Sequence, residues 1–76
     1  MKELTKRQTE ILLFIEKYIK ENGFSPSVRE IAGYFKISAK GAYDHILALV
    51  KKGFITMQSG KPRTIRILAK KRGSAL

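Results

Sequence analysis

Apolar residues return every three or four positions through the first two-thirds of this chain and every second position after that. Ile11, Phe14, Ile15, Tyr18 and Ile19, with Leu12 at the border, share one side of a helix. Leu13 falls on the far side and is expected to be partly exposed. Thr5 and Gln8 have capping-box spacing at the start, and Gly23 follows the last periodic residues, near Glu21 and Asn22. Val28, Ile31, Ala32 and Phe35 repeat the helical step, as do Ala42, Ile46, Leu49 and Val50. Ser27 with Glu30 caps the second helix, Ser38 caps the third, and Gly53 closes the third after about Lys52.

Only Lys36, Ile37 and Ser38 separate the second and third helices. So short a turn forces a steep crossing, the helix-turn-helix arrangement whose second helix can enter a DNA major groove. Lys36 stands where such turns often use glycine to accept a left-handed backbone. Residues 54–58 and 63–68 then alternate as strands, with turn chemistry at 59–62. Ile55, Met57, Ile65 and Ile67 are expected to cover the helices, with Thr56, Gln58, Thr64 and Arg66 outward. The fold class expected is therefore mainly α with a small antiparallel hairpin. That is a winged helix-turn-helix, three helices plus a two-stranded wing, over residues 1–68. Residues 69–76 are basic and aperiodic, and read as a flexible tail beginning a linker.

Charge changes the picture from fold to partner. The chain of 76 residues carries a net charge of +10, and no acidic residue follows Asp44, whereas eight basic ones do. Such asymmetry points to a polyanion, nucleic acid first and an anionic membrane second. The membrane is the weaker reading, because the helices are patterned for a core and not for an exposed apolar face. No apolar run approaches the ~18 residues of a bilayer span, and the start lacks a signal-peptide core. The chain has no cysteine and a single histidine, His45, at the margin of the core face, which leaves no metal site and no cofactor to expect. A cytoplasmic setting is the expectation.

Once Ala42, Ile46 and Leu49 turn inward, Lys40, Asp44, Leu47 and Lys51 project outward from the third helix, with Tyr43 at one edge. Ser38, Lys40, Gly41, Tyr43 and Asp44 are the candidate base-reading residues. A serine hydroxyl and a lysine can donate, an aspartate can accept from cytosine N4, Tyr43 can meet a thymine methyl, and Gly41 permits close approach. Ser27, Arg29, Lys51, Lys52, Gly60, Lys61 and Arg63 are the candidate backbone contacts, which fix register without reading sequence. The amides opening the second helix add a phosphate seat.

The opening LTKRQ, the PSVREIA segment, and the KGFI stretch running into SGKPRTIRI together resemble the N-terminal DNA-binding domain of the LexA repressor family, over about residues 1–68. The resemblance implies a transcriptional repressor of DNA-damage (SOS) genes, binding palindromic operators on double-stranded DNA as a homodimer. It also implies that the five candidate base-reading residues match positions that approach bases. Two departures concern DNA reading. The turn around Lys36 to Ser38 is one residue shorter than in enterobacterial members, and Lys40 and Tyr43 replace Asn and Glu, so a different operator is expected. The family's cleavage site and self-cleaving Ser-Lys domain are absent, so the chain is expected to be non-catalytic. It reads as an excised domain, monomeric alone, or as a free-standing small regulator. The competing reading is a winged helix that binds nucleic acid non-specifically or binds a protein partner.

Overall fold

In the computed structural model of this chain, residues 3–58 and 60–68 are described. Three helices, α1 (Lys6–Asn22), α2 (Val28–Phe35) and α3 (Ala39–Lys51), precede two short strands, β1 (Ile55–Thr56) and β2 (Arg66–Ile67). The sequence signals act where they stand. Thr5 Oγ1 accepts from the Gln8 amide and Gln8 Oε1 accepts from the Thr5 amide, both at 3.1 Å, and Gly23 closes α1 at φ 82°. Ser27 and Glu30 form the same box on α2, and Ser38 Oγ accepts from the Gly41 amide at 3.0 Å to open α3.

Lys36 takes the left-handed conformation itself, at φ 58° and ψ 44°. Its amide reaches the Gly33 carbonyl, and the Ile37 amide reaches that of Ala32 at 3.0 Å, a Schellman closure that satisfies the last carbonyls of α2. Ile37 then packs on the core, which holds the turn although lysine is a poor left-handed residue. The close of α3 repeats this device with glycine in place: Gly53 has φ 86°, and the Phe54 amide bonds the Leu49 carbonyl at 3.0 Å.

Ile11, Ile15, Ile31, Ala42, Ile46, Leu49 and Ile55 are fully buried, so all three helices and β1 meet in one core. Leu13, on the far side of α1, is 58% exposed. The wing pairs antiparallel, with Ile55 opposite Ile67 and Thr56 opposite Arg66. Its ladder is shorter than the alternation over 54–58 and 63–68 predicted. Beyond these pairs Thr64 replaces the backbone rungs: its Oγ1 accepts from the Gln58 amide at 2.9 Å and donates toward the Gln58 and Lys61 carbonyls. Thr64 is accordingly half-buried instead of outward, while Ile65 goes into the core as expected. The tail at 69–76 lies outside the described residues.

Candidate nucleic-acid interface

Burying Ala42, Ile46 and Leu49 fixes the rotation of α3, and Lys40, Asp44, Leu47 and Lys51 are all exposed on its other side. Lys40 Nζ lies 3.5 Å from Asp44 Oδ2 across one helical turn. Ser38 uses its oxygen as the cap acceptor, which leaves its hydroxyl hydrogen to donate elsewhere. Gly41 has a local reason as well as the expected one: a Cβ there would sit 3.2 Å from Ser38 Oγ and crowd the cap. His45 is half-buried, on the margin where its spacing put it.

Tyr43 is half-buried and joins α3 to the rest of the candidate surface. With Ser27 and Arg29 from the start of α2, and Gly60, Lys61 and Thr64 from the wing, it lines a cleft of about 300 Å³. The start of α2, one flank of α3 and the wing turn therefore converge on one place, although Ser27 and Lys61 are 34 positions apart in the chain. Arg29, Lys51 and Lys61 are exposed, and none takes part in an ion pair among the described residues. Ser27 exchanges two cap bonds with Glu30, and Gly60 sits in the turn at φ 80°.

Two of the residues expected on phosphates also have partners within the fold. Lys52 Nζ donates to Gln8 Oε1 at 2.8 Å and to the Glu3 carbonyl at 2.7 Å, tying the end of α3 to the start of the chain. Arg63 Nη2 donates to Glu30 Oε2 at 2.7 Å, and Nη1 to the Ser25 carbonyl at 3.1 Å and the Tyr18 hydroxyl at 3.3 Å. Its guanidinium also lies 5.1 Å from the Phe24 ring centre. The Arg63 hydrogen bond, followed by the Ser27 amide, lowers the Glu30 carboxyl from 4.5 to about 2; Arg63 in turn is raised by Glu30 and then Tyr18. Glu30 and Tyr18 were not recognisable as partners of the wing. Capping-box spacing accounts for one Glu30 oxygen, and nothing local announces that an arginine 33 positions later takes the other.

The chemistry this surface offers is that of a duplex reader. A helix with exposed donors and an acceptor is flanked by cations on separate elements, which is the division between base reading and phosphate anchoring that duplex recognition uses. Among the described residues no cluster of three or more His, Asp or Glu could hold a metal ion, and no helix is long and apolar enough to cross a membrane.

Comparison with known proteins agrees with this geometry. A family model described as the LexA DNA binding domain matches residues 1–64. A LexA repressor of Thermotoga maritima is 57% identical over 67 residues, 88% of this chain and 34% of that repressor. LexA repressors of Thermosipho africanus and Leptospira interrogans are 52% and 47% identical over 68 residues, 90% of this chain and 34% of each. The chain thus spans about a third of the length of the curated relatives it matches.

Proposed function

The chain belongs to the family of LexA DNA-binding domains, and from that premise we propose that it is the operator-reading part of a transcriptional repressor of DNA-damage genes. In this reading α3 enters the major groove. Ser38, Lys40, Gly41, Tyr43 and Asp44 approach base edges, while Ser27, Arg29, Lys51, Gly60 and Lys61 hold phosphates. The convergence of α2, α3 and the wing on one cleft carries the proposal, because it lets a single duplex meet all three elements.

The chain acts on a palindromic operator in the cytoplasm, one copy per half-site, as a monomer by itself and a homodimer on DNA or within a longer repressor. The role proposed is DNA binding and not catalysis; the family match, to a DNA-binding domain, supports that reading. Residues 1–68 are the working domain. A selection from randomised duplex DNA at physiological salt, followed by titration against scrambled DNA, tests this. An inverted repeat bound at least ~10³-fold more tightly than scrambled duplex is expected. Equal binding to every duplex would leave a general nucleic-acid binder.

A further inference from the structure

Arg63 lies in the wing, the most basic part of the candidate interface, and lines the same cleft; its side chain stays 41% exposed, yet its guanidinium is bonded to the helices and not left free. Three of its hydrogen bonds end on three different segments: the α2 carboxylate of Glu30, the α1 phenol of Tyr18, and the Ser25 carbonyl in the loop between those helices. The planar fork of arginine suits such a divided set of acceptors, whereas a lysine ammonium cannot span them. Arg63 also holds a left-handed backbone at φ 56°, a conformation that an exposed turn usually gives to glycine or asparagine. An arginine kept there despite that strain is there for its side chain. The β ladder is only two residue pairs long, too short to fix the angle of the wing by itself.

We infer that Arg63 is a positioning residue, a latch through Glu30 that sets the wing against the start of α2 and holds open the cleft where the duplex backbone is received. It is not a phosphate contact. This inference rests on the DNA-binding reading above and deepens it. Glu30 is then a second positioning residue with two duties: one carboxylate oxygen caps α2 through the Ser27 amide and the other anchors the wing. An anionic side chain beside a DNA surface opposes binding by simple charge, so its presence needs such a structural return.

The two roles of Arg63 predict opposite signs, which makes Glu30→Gln the decisive variant. Glutamine preserves the capping box but removes the charge that holds Arg63. A latch that has lost its anchor weakens binding of the selected operator roughly tenfold, the scale of one charge-assisted hydrogen bond. If Arg63 met phosphate, Glu30→Gln would free it, remove a repulsive charge and tighten binding.

Arg63→Ala and Arg63→Lys complete the experiment, in titrations of the whole chain over a salt series. The latch predicts equal losses for both, no further loss when either is combined with Glu30→Gln, and a salt slope within error of the parent's. A phosphate contact predicts that Arg63→Lys retains parent-like binding and that Arg63→Ala lowers the slope by about 0.9. Either of those results overturns the inference. Amide hydrogen exchange at Lys61, whose N–H bonds the Gln58 carbonyl, gives a readout without DNA. It should quicken alike in Glu30→Gln and Arg63→Ala, and unchanged exchange in both overturns the latch. A parent chain that shows no sequence preference overturns operator reading and leaves the exchange result to judge the latch separately.

Discussion

Lys40 and Asp44 face each other one turn apart on α3, Nζ to Oδ2 at 3.5 Å, with 83% and 60% of their side chains exposed. The free domain therefore holds a donor and an acceptor in mutual neutralisation on the face proposed to read bases. An exposed pair at this spacing contributes only about 0.3–0.5 kcal/mol, so it costs little to open. Lys40→Ala and Asp44→Ala should each leave thermal unfolding nearly unchanged. Each should also lower affinity for the selected duplex by about 1–3 kcal/mol at one base position. Parent-like binding by both variants would remove α3 from sequence reading.

The exposed lysines give a separate, quantitative expectation. Lys51→Ala and Lys61→Ala should weaken binding to selected and scrambled duplex alike, and each should reduce the salt slope by about 0.9. Lys52→Ala should act differently, because its ammonium already joins Gln8 and the Glu3 carbonyl. Its main effect should be a lower unfolding temperature, with the slope retained.

Lys36 keeps a left-handed backbone at φ 58° in the turn between α2 and α3. Replacing it with glycine removes the Cβ clash of that conformation, worth roughly 1 kcal/mol. In a domain of this size that should raise the unfolding temperature by about 4–8 °C per kcal/mol gained. A calorimetric scan of Lys36→Gly that shows no rise would mean the Schellman closure already relieves the strain.

Acid acts on the wing through Glu30. Its carboxyl is lowered from 4.5 to about 2, first by the Arg63 hydrogen bond and then by the Ser27 amide. A carboxyl lowered by folding stabilises the fold fully above its ordinary value, and that contribution is lost as pH falls through the folded value. The parent should therefore lose stability from about pH 4.5 down to about pH 2. Glu30→Gln should flatten that part of the curve, as read by thermal unfolding across a pH series.

Ile46 is fully buried where α3 meets the core. Ile46→Ala should cost about 2–5 kcal/mol, a large share of the ~5–15 kcal/mol that holds a domain folded. DNA binding should fail with unfolding in this variant, unlike Lys40→Ala, and circular dichroism separates the two.

The helices of this domain are legible in its sequence because their determinants are local. Thr5 with Gln8, Ser27 with Glu30, and Gly23 and Gly53 act within one turn of where they stand. The 3.6-residue recurrence of Ile11, Ile15, Ala42, Ile46 and Leu49 names the buried faces, and the exposed face of α3 follows by subtraction. The three-residue turn between α2 and α3 and the antiparallel pairing of the wing follow from loop length and turn chemistry. What stayed hidden was which cations are spoken for. Lys52 meets Gln8 across 44 positions and Arg63 meets Glu30 across 33. A basic residue in a sequence carries its charge but not its partner. Only packing α1, α2 and the wing around the shared core brings those acceptors within hydrogen-bond reach, and so gives Lys52 and Arg63 partners that their places in the chain do not announce.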